Sequence, residues 1–285
     1  MAQPIKITEC PRDAMQGLTP FVPTSIKAAY INLLLQVGFD TIDFGSFVSA
    51  KAIPQMRDTA EVLSKLDLGN TKSKLLAIIA NYRGAEDASQ YNEITYLGYP
   101  FSISETFQLR NTNTTIEQAF DNVKRINELC AAKNKTLLVY LSMGFGNPYG
   151  DEWNAQIVQQ WTENMVNEGI TNIALSDTIG IATPQQITEL YPQISLQFPK
   201  AQIGVHLHST PDTWQEKIAA AYKSGCRKFD AALKGYGGCP MAKDELTGNI
   251  ATENLITYLQ SQNEPLWFNL DKLVEAMDYS GKVFG

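Results

Sequence analysis

Histidine is nearly absent from this 285-residue chain: it occurs twice, and both copies fall in one heptapeptide, Gly204-Val-His206-Leu-His208-Ser-Thr210. Cysteine is scarce as well, with four residues, Cys10, Cys130, Cys226 and Cys239, far apart and without Cys-x-x-Cys spacing. That spacing argues against a disulfide framework or a thiolate metal cluster, so free thiols are expected. No apolar run reaches the roughly 18 residues that would mark a membrane span. There is no basic run either, and the net charge of −7 argues against a sequence-independent grip on nucleic acid. Small molecules are the expected partners. The opening residues MAQPIKITEC lack the charged, apolar and cleavage regions of a signal peptide, so a cytoplasmic location is expected and the sequons at Asn113 and Asn134 read as chance matches. Nucleotide fingerprints are missing too. Gly144-Phe-Gly146-Asn-Pro-Tyr-Gly150 has the spacing GxGxxxG rather than GxGxxG, and the glycines at 235, 237 and 238 lack the GK[ST] ending of a P-loop.

What is present is a regular alternation. Eight strand-like runs, 4–8, 39–45, 73–80, 93–99, 135–143, 171–177, 201–209 and 226–233, are separated by segments of helical period, most opened by Thr, Ser or Asn and several closed by Gly. In 154–169, for instance, Ile157, Val158, Trp161 and Met165 form a helical stripe. Strict strand–helix alternation without an internal linker predicts a parallel sheet with helices outside, and eight units match the usual size of a (β/α)8 barrel, about 250 residues. A doubly wound open sheet is the alternative. The chain is read as a single barrel domain over 1–285, with residues 265–285 adding a C-terminal helix. Trp267 and Phe268 there suit either a cover for the barrel end or a homodimer interface.

A barrel carries its chemistry where the strands end at the C-terminal face. Arg12 and Asp13 follow the first strand, Asp43 ends the second, Asp177 the sixth and the histidines the seventh. Residues i and i+2 of a strand share a side, so His206 and His208 project together and Leu207 faces the helices. Barrel closure brings the first strand near them, and with Asn249 this makes a mixed N/O set of Asp13, His206, His208 and Asn249. Such donors suit Mg²⁺ or Mn²⁺, and Zn²⁺ by geometry. Each residue also has a plainer reading. The histidines would be a packed pair, Arg12 and Asp13 an exposed ion pair, Asp43 and Asp177 backbone caps, Asn249 a helix cap, and Cys239 an inert thiol in a tight turn.

Six stretches together resemble the 3-hydroxy-3-methylglutaryl-CoA lyases, within the metal-dependent lyase and Claisen-condensing barrels. They are Pro11-Arg12-Asp13-x-x-Gln16, Ser46-Phe-Val-Ser-x-Lys51-x-x-Pro54-Gln-Met56, Ser104-Glu105-x-Phe107, Asp177-Thr-Ile-Gly180 with Thr183-Pro184, His206-x-His208, and Gly235-x-Gly-Gly-Cys239-Pro with Gly248-Asn249-x-Ala-Thr-Glu253. The resemblance implies a (β/α)8 barrel and a divalent cation on Asp13, His206, His208 and Asn249. It implies an acyl-CoA substrate cleaved to acetyl-CoA and acetoacetate, with Arg12 at the thioester carbonyl. His206 would relay the hydroxyl proton, Cys239 would protonate the enolate carbon, and Asp43 and Asp177 would orient these groups. The chain departs from the family around the pocket, with Ala14 and Gly17 in the first motif, Asp43 where a Glu is common, Ala174 for a serine, and Glu9 three rather than four positions before Arg12. A barrel aldolase or Claisen synthase acting on 2-oxo acids or another 3-hydroxyacyl-CoA is the alternative enzyme, and a non-catalytic metabolite-binding barrel the alternative class.

Overall fold

The computed structural model describes residues 3–238 and 247–285. Eight parallel strands, Lys6–Glu9, Thr41–Ser46, Lys74–Ile78, Ile94–Ser102, Thr136–Ser142, Asn172–Ser176, Gln202–His206 and Lys228–Ala231, hydrogen-bond in chain order. The eighth pairs with the first, Lys6 through Glu9 standing opposite Lys228 through Ala231, and the sheet closes. The expected (β/α)8 barrel is the fold, and the open sheet is excluded.

Local signals set the helices between the strands. Thr115 with Gln118 and Thr183 with Gln186 form capping boxes at Ile116–Ala132 and Pro184–Gln197, and Asn154 caps Ala155–Asn167. The apolar stripes of these helices pack on the outward faces of the strands. Ile42, Phe44, Leu75, Ala77, Leu141, Ile173 and Val205 lie there in one core with Val123, Ile126, Val158 and Ile187. Inside the barrel the two halves differ. Leu76, Ile78, Leu138, Tyr140 and Ala174 form a small apolar cluster on strands 3 to 6. Strands 8, 1 and 2 and the end of strand 7 contribute the buried or half-buried Asp230, Thr8, Asp43 and His206. The polar half points to the site.

The seventh strand differs from its expected span of 201–209. It ends at His206, whose carbonyl accepts the N–H of Asp177. The chain then leaves the barrel, and His208–Ser209 pairs antiparallel with Gly248–Asn249, His208 opposite Asn249. Alternation still puts Leu207 in the outer core. The partner strand lies forty residues downstream, beyond the reach of a local pattern. The eighth strand is likewise shorter than 226–233, because Leu233–Gly235 turns into a 3₁₀ helix. The C-terminal helix occupies Leu270–Tyr279, capped by Asn269 and followed by a short turn of helix, Gly281–Phe284. It packs against Thr24–Val37, with Phe268 on Phe39 and Phe284 stacked on Tyr236.

Candidate active site

At the end of strand 1 the chain enters a short helix, Pro11–Met15, with proline at its start, where the missing N–H costs nothing. The turn aims Arg12, Asp13 and Gln16 into a cleft of about 360 Å³. The same cleft is lined by Tyr140, Ser176, Thr178, His206 and His208 from strand ends, and by Phe107 and Thr112 from helix Glu105–Thr112.

Arg12 is gripped from several sides. Its Nε and Nη2 donate to the Asp43 carboxylate at 3.0 and 2.6 Å, and its Nη1 to Asp13 at 3.0 Å and Gln16 at 2.9 Å. Burial works against the charge, but Asp43 and Asp13 outweigh it and hold the guanidinium pKa above its ordinary value. Burial pushes Asp43 up to about 6, with Arg12 pulling the other way, so the carboxylate is ionised at neutral pH. A bidentate buried pair of this kind fixes orientation as well as charge.

Asp13, His206 and His208 bring one ligand atom each within 4.8 Å of one another. The two Nε2 atoms face each other at 3.3 Å. Burial opposes ionisation of Asp13, yet Arg12 and His206 bring its pKa down to about 2. Burial and then His206 push His208 down to about 4, leaving it neutral. One carboxylate and a neutral imidazole, with a second imidazole beside them, are the donors a divalent cation takes, so the residues present fit such an ion. Asn249 stands at the same corner, its amide N–H₂ donating to Asp13 Oδ2 at 2.8 Å and to the Tyr236 carbonyl at 2.9 Å. The four residues expected to gather do gather; Asn249 reaches the corner by the ribbon pairing with His208 rather than as a helix cap.

Partners behind these side chains hold them in place. His206 Nδ1 lies 3.2 Å from Asp230 Oδ2, and although burial lowers the imidazole pKa, Asp230 outweighs it and raises it. His208 Nδ1 lies 3.0 Å from the Thr178 carbonyl. Asp177, expected to orient the reacting groups, turns away from the cleft. Its carboxylate accepts from Lys217 Nζ at 2.8 Å and from the Ala182 N–H, and the same ammonium donates to the carbonyls of Gly180 and His208. Glu9 also faces outward, accepting the Leu233 N–H and the Thr252 hydroxyl.

Sequence reasoning passed over Asp230, Lys217 and Tyr140. Asp230 had a signal, an acid inside the strand-like run Cys-Arg-Lys-Phe-Asp-Ala-Ala-Leu, one layer above Lys228 by alternation. Lys217 had none, since a lysine on a helix ordinarily faces water. Tyr140 reads as an ordinary strand aromatic; its ring meets His206 edge-on at 5.7 Å, and its hydroxyl is buried with no hydrogen-bond partner among the described residues. Burial first, then Asp230, Cys10 and Asp43, push its phenol pKa well above the ordinary value. Cys10 donates weakly to the Thr8 carbonyl, and burial pushes Cys130 and Cys226 up to about 12, so all three are inert packing thiols. Cys239 lies outside the described residues.

Many known proteins match this chain in sequence and in fold. The HMGL-like family model matches residues 5–279. The cytoplasmic 3-hydroxy-3-methylglutaryl-CoA lyase of Rattus norvegicus is 32% identical over 282 residues, 98% of this chain and 81% of that protein. The hydroxymethylglutaryl-CoA lyase YngG of Bacillus subtilis is 31% identical over 277 residues, 96% of this chain and 91% of that one. Among solved structures, an HMG-CoA lyase of Acinetobacter baumannii in complex with coenzyme A and 3-methylmalate superposes with a TM-score of 0.91 at 33% identity, covering 99% of this chain and 92% of that one. With a family match over nearly its whole length and a barrel that superposes on solved lyases, this chain belongs to the HMGL-like family.

Proposed function

We propose that this carbon–carbon lyase acts on 3-hydroxy-3-methylglutaryl-CoA and cleaves it to acetyl-CoA and acetoacetate with a divalent cation. The observation that carries this reading is the convergence of Asp13, His206 and His208 in the cleft that also holds the buried Arg12 guanidinium. Asp13, His206, His208 and Asn249 would hold the ion, Mg²⁺ or Mn²⁺ by donor hardness. When bound, it lowers the pKa of the substrate's 3-hydroxyl and orients that group.

The chain's own groups supply the rest. Asp43 and Gln16 hold Arg12 still, so its positive charge waits where the thioester oxygen becomes an enolate oxygen, a stabilisation that needs no reorganisation at the moment of reaction. His206 is held through Nδ1 by Asp230 with Nε2 toward the ion, and the proton of the acidified hydroxyl passes to water in the cleft. The C2–C3 bond then breaks, its electrons pass to the thioester as the enolate, and the oxygen that lost the proton becomes the ketone of acetoacetate. The enolate carbon takes its proton from the thiol of Cys239. Asp177 acts through Lys217, which fixes the carbonyl of His208. The cleft takes the acyl head, and the coenzyme body lies outside the barrel mouth.

No described helix is long and apolar enough to cross a membrane. Relatives carry both cytoplasmic and mitochondrial names, and a cytoplasmic enzyme is the reading adopted. A homodimer formed through the exposed Trp267, Leu270 and Val274 is part of it, and light scattering of the purified chain tests that. The activity is tested directly: with Mg²⁺ or Mn²⁺ the protein releases acetoacetate from the substrate, and Cys239→Ala lowers turnover by orders of magnitude while metal binding stays. Metal-loaded protein that releases no acetoacetate overturns the reading, whereas pyruvate release from 2-oxo acid substrates favours a barrel aldolase.

A further inference from the structure

Among the described residues, the cleft contains one fully buried side-chain polar group without a hydrogen-bond partner. Arg12 is paired with Asp43, Asp13 with Asn249, His206 with Asp230 and His208 with the Thr178 carbonyl, and the Ser176 hydroxyl donates to the Ala174 carbonyl. The Tyr140 hydroxyl is buried and has no partner among the described residues. Two other buried hydroxyls, on Tyr99 and Ser224, also lack partners among the described residues, but neither lines the cleft. An orphaned buried hydroxyl is costly, and in a native protein such a group calls for a reason.

Packing aims this one. Tyr140 is the fifth residue of strand 5 and enters the barrel interior with Leu138 and Ile78, its ring edge-on to His206 at 83° between planes. Gly98, on the neighbouring strand, makes room for it: a Cβ there would stand 3.2 Å from Tyr140 Cε2 and 2.5 Å from Ile78 Cδ1. The ring is thereby wedged upright beneath the cleft, where it cannot swing to find another acceptor. A smaller or wholly apolar residue would fill the apolar half of the barrel without the cost of a buried hydroxyl.

We propose that Tyr140 is a substrate-contacting specificity residue whose hydroxyl donates a hydrogen bond to an oxygen of the acyl group, beside Arg12 and His206. The assignment rests on the acyl-CoA reading above. A site built around a polar partner discriminates strongly against ligands that lack it, because the buried group is then left unpaired. Tyr140 also sets the depth of the acyl pocket.

Tyr140→Phe removes one oxygen and leaves the ring. The expected result is kcat/KM for 3-hydroxy-3-methylglutaryl-CoA lowered by about 10- to 100-fold, as a charge-assisted hydrogen bond of ordinary strength requires, with unchanged metal content and an unchanged or higher Tm. A hydroxyl with a merely structural role would give the opposite pattern, a lower Tm and intact kcat/KM, and that outcome overturns the proposal. Calorimetric titration of wild type and variant with free 3-hydroxy-3-methylglutarate and Mg²⁺ supplies a readout without turnover. If the wild-type protein does not release acetoacetate from 3-hydroxy-3-methylglutaryl-CoA, the acyl-CoA reading fails and Tyr140 is judged on this titration alone. Weaker binding by the variant then supports the contact, and equal binding overturns it.

Discussion

At the scale of single residues, the site is built from groups whose ordinary behaviour has been removed by their neighbours. His208 is kept neutral by burial and His206, Asp13 is kept ionised chiefly by Arg12, and Arg12 is kept charged and still by Asp43. Because the chain has no other histidine, His206→Ala with His208→Ala removes every imidazole. Elemental analysis of the double variant is expected to show divalent metal near background, with the barrel's circular dichroism unchanged. Retained stoichiometric metal would place the ion elsewhere. The scarcity of histidine makes this measurement unambiguous.

Secondary-structure elements are joined behind the site by two buried groups that an alternation pattern does not reveal. Lys217, on helix Trp214–Lys223, reaches Asp177 and the carbonyls of Gly180 and His208, all at 2.8 Å, so it ties the ends of strands 6 and 7 to one helix. Lys217→Met leaves Asp177 buried without its cation, and a loss of about 3–5 kcal/mol in denaturant unfolding is expected. Adding Asp177→Asn should recover much of it, which a double-mutant cycle reads directly. Glu9, fully buried, ties strand 1 to Leu233 and to helix Thr252–Ser261. Burial pushes its pKa up to about 8. In the unfolded chain the proton leaves near the ordinary value of about 4.3. Between those values the folded state binds more protons, so the Glu9 contribution to stability is full below the lower value, falls as pH rises and is lost above the upper one. Glu9→Gln mimics the protonated acid, accepting from Leu233 and donating to Thr252. Its denaturation midpoint should therefore change less between pH 5 and 8 than that of the wild type, and parallel curves would remove Glu9 from this role.

Across the whole molecule, the C-terminal segment reaches back to the site. Phe284 stacks on Tyr236 at 4.1 Å between ring centroids, and the Tyr236 carbonyl holds the Asn249 amide beside Asp13. Phe284→Ala removes a half-buried ring, a cost of about 1–2 kcal/mol. It is also expected to weaken metal binding several-fold by isothermal titration, because Asn249 loses its support. A fall in Tm with unchanged metal affinity would confine the segment to covering the barrel.

Much of this protein is written in local patterns. Alternating strand runs, helical stripes and Thr or Asn caps announce eight units, and His206-Leu-His208 announces a pair of imidazoles on one side, since period and capping depend only on neighbours in sequence. Arg12, Asp13 and Asp43 were legible as candidates because they fall at strand ends, and Asn249 because it closes the loop after the eighth strand. Tertiary structure alone decided the rest. Closure set Lys6–Glu9 against Lys228–Ala231 and thereby placed Asp230 behind His206; a ribbon between residues forty positions apart broke strand 7 after His206 and set Asn249 opposite His208; and a helix turned Lys217 inward on Asp177. Each of these depends on a register between distant segments. Register is a property of the closed sheet and its packing, and no local run of residues contains it.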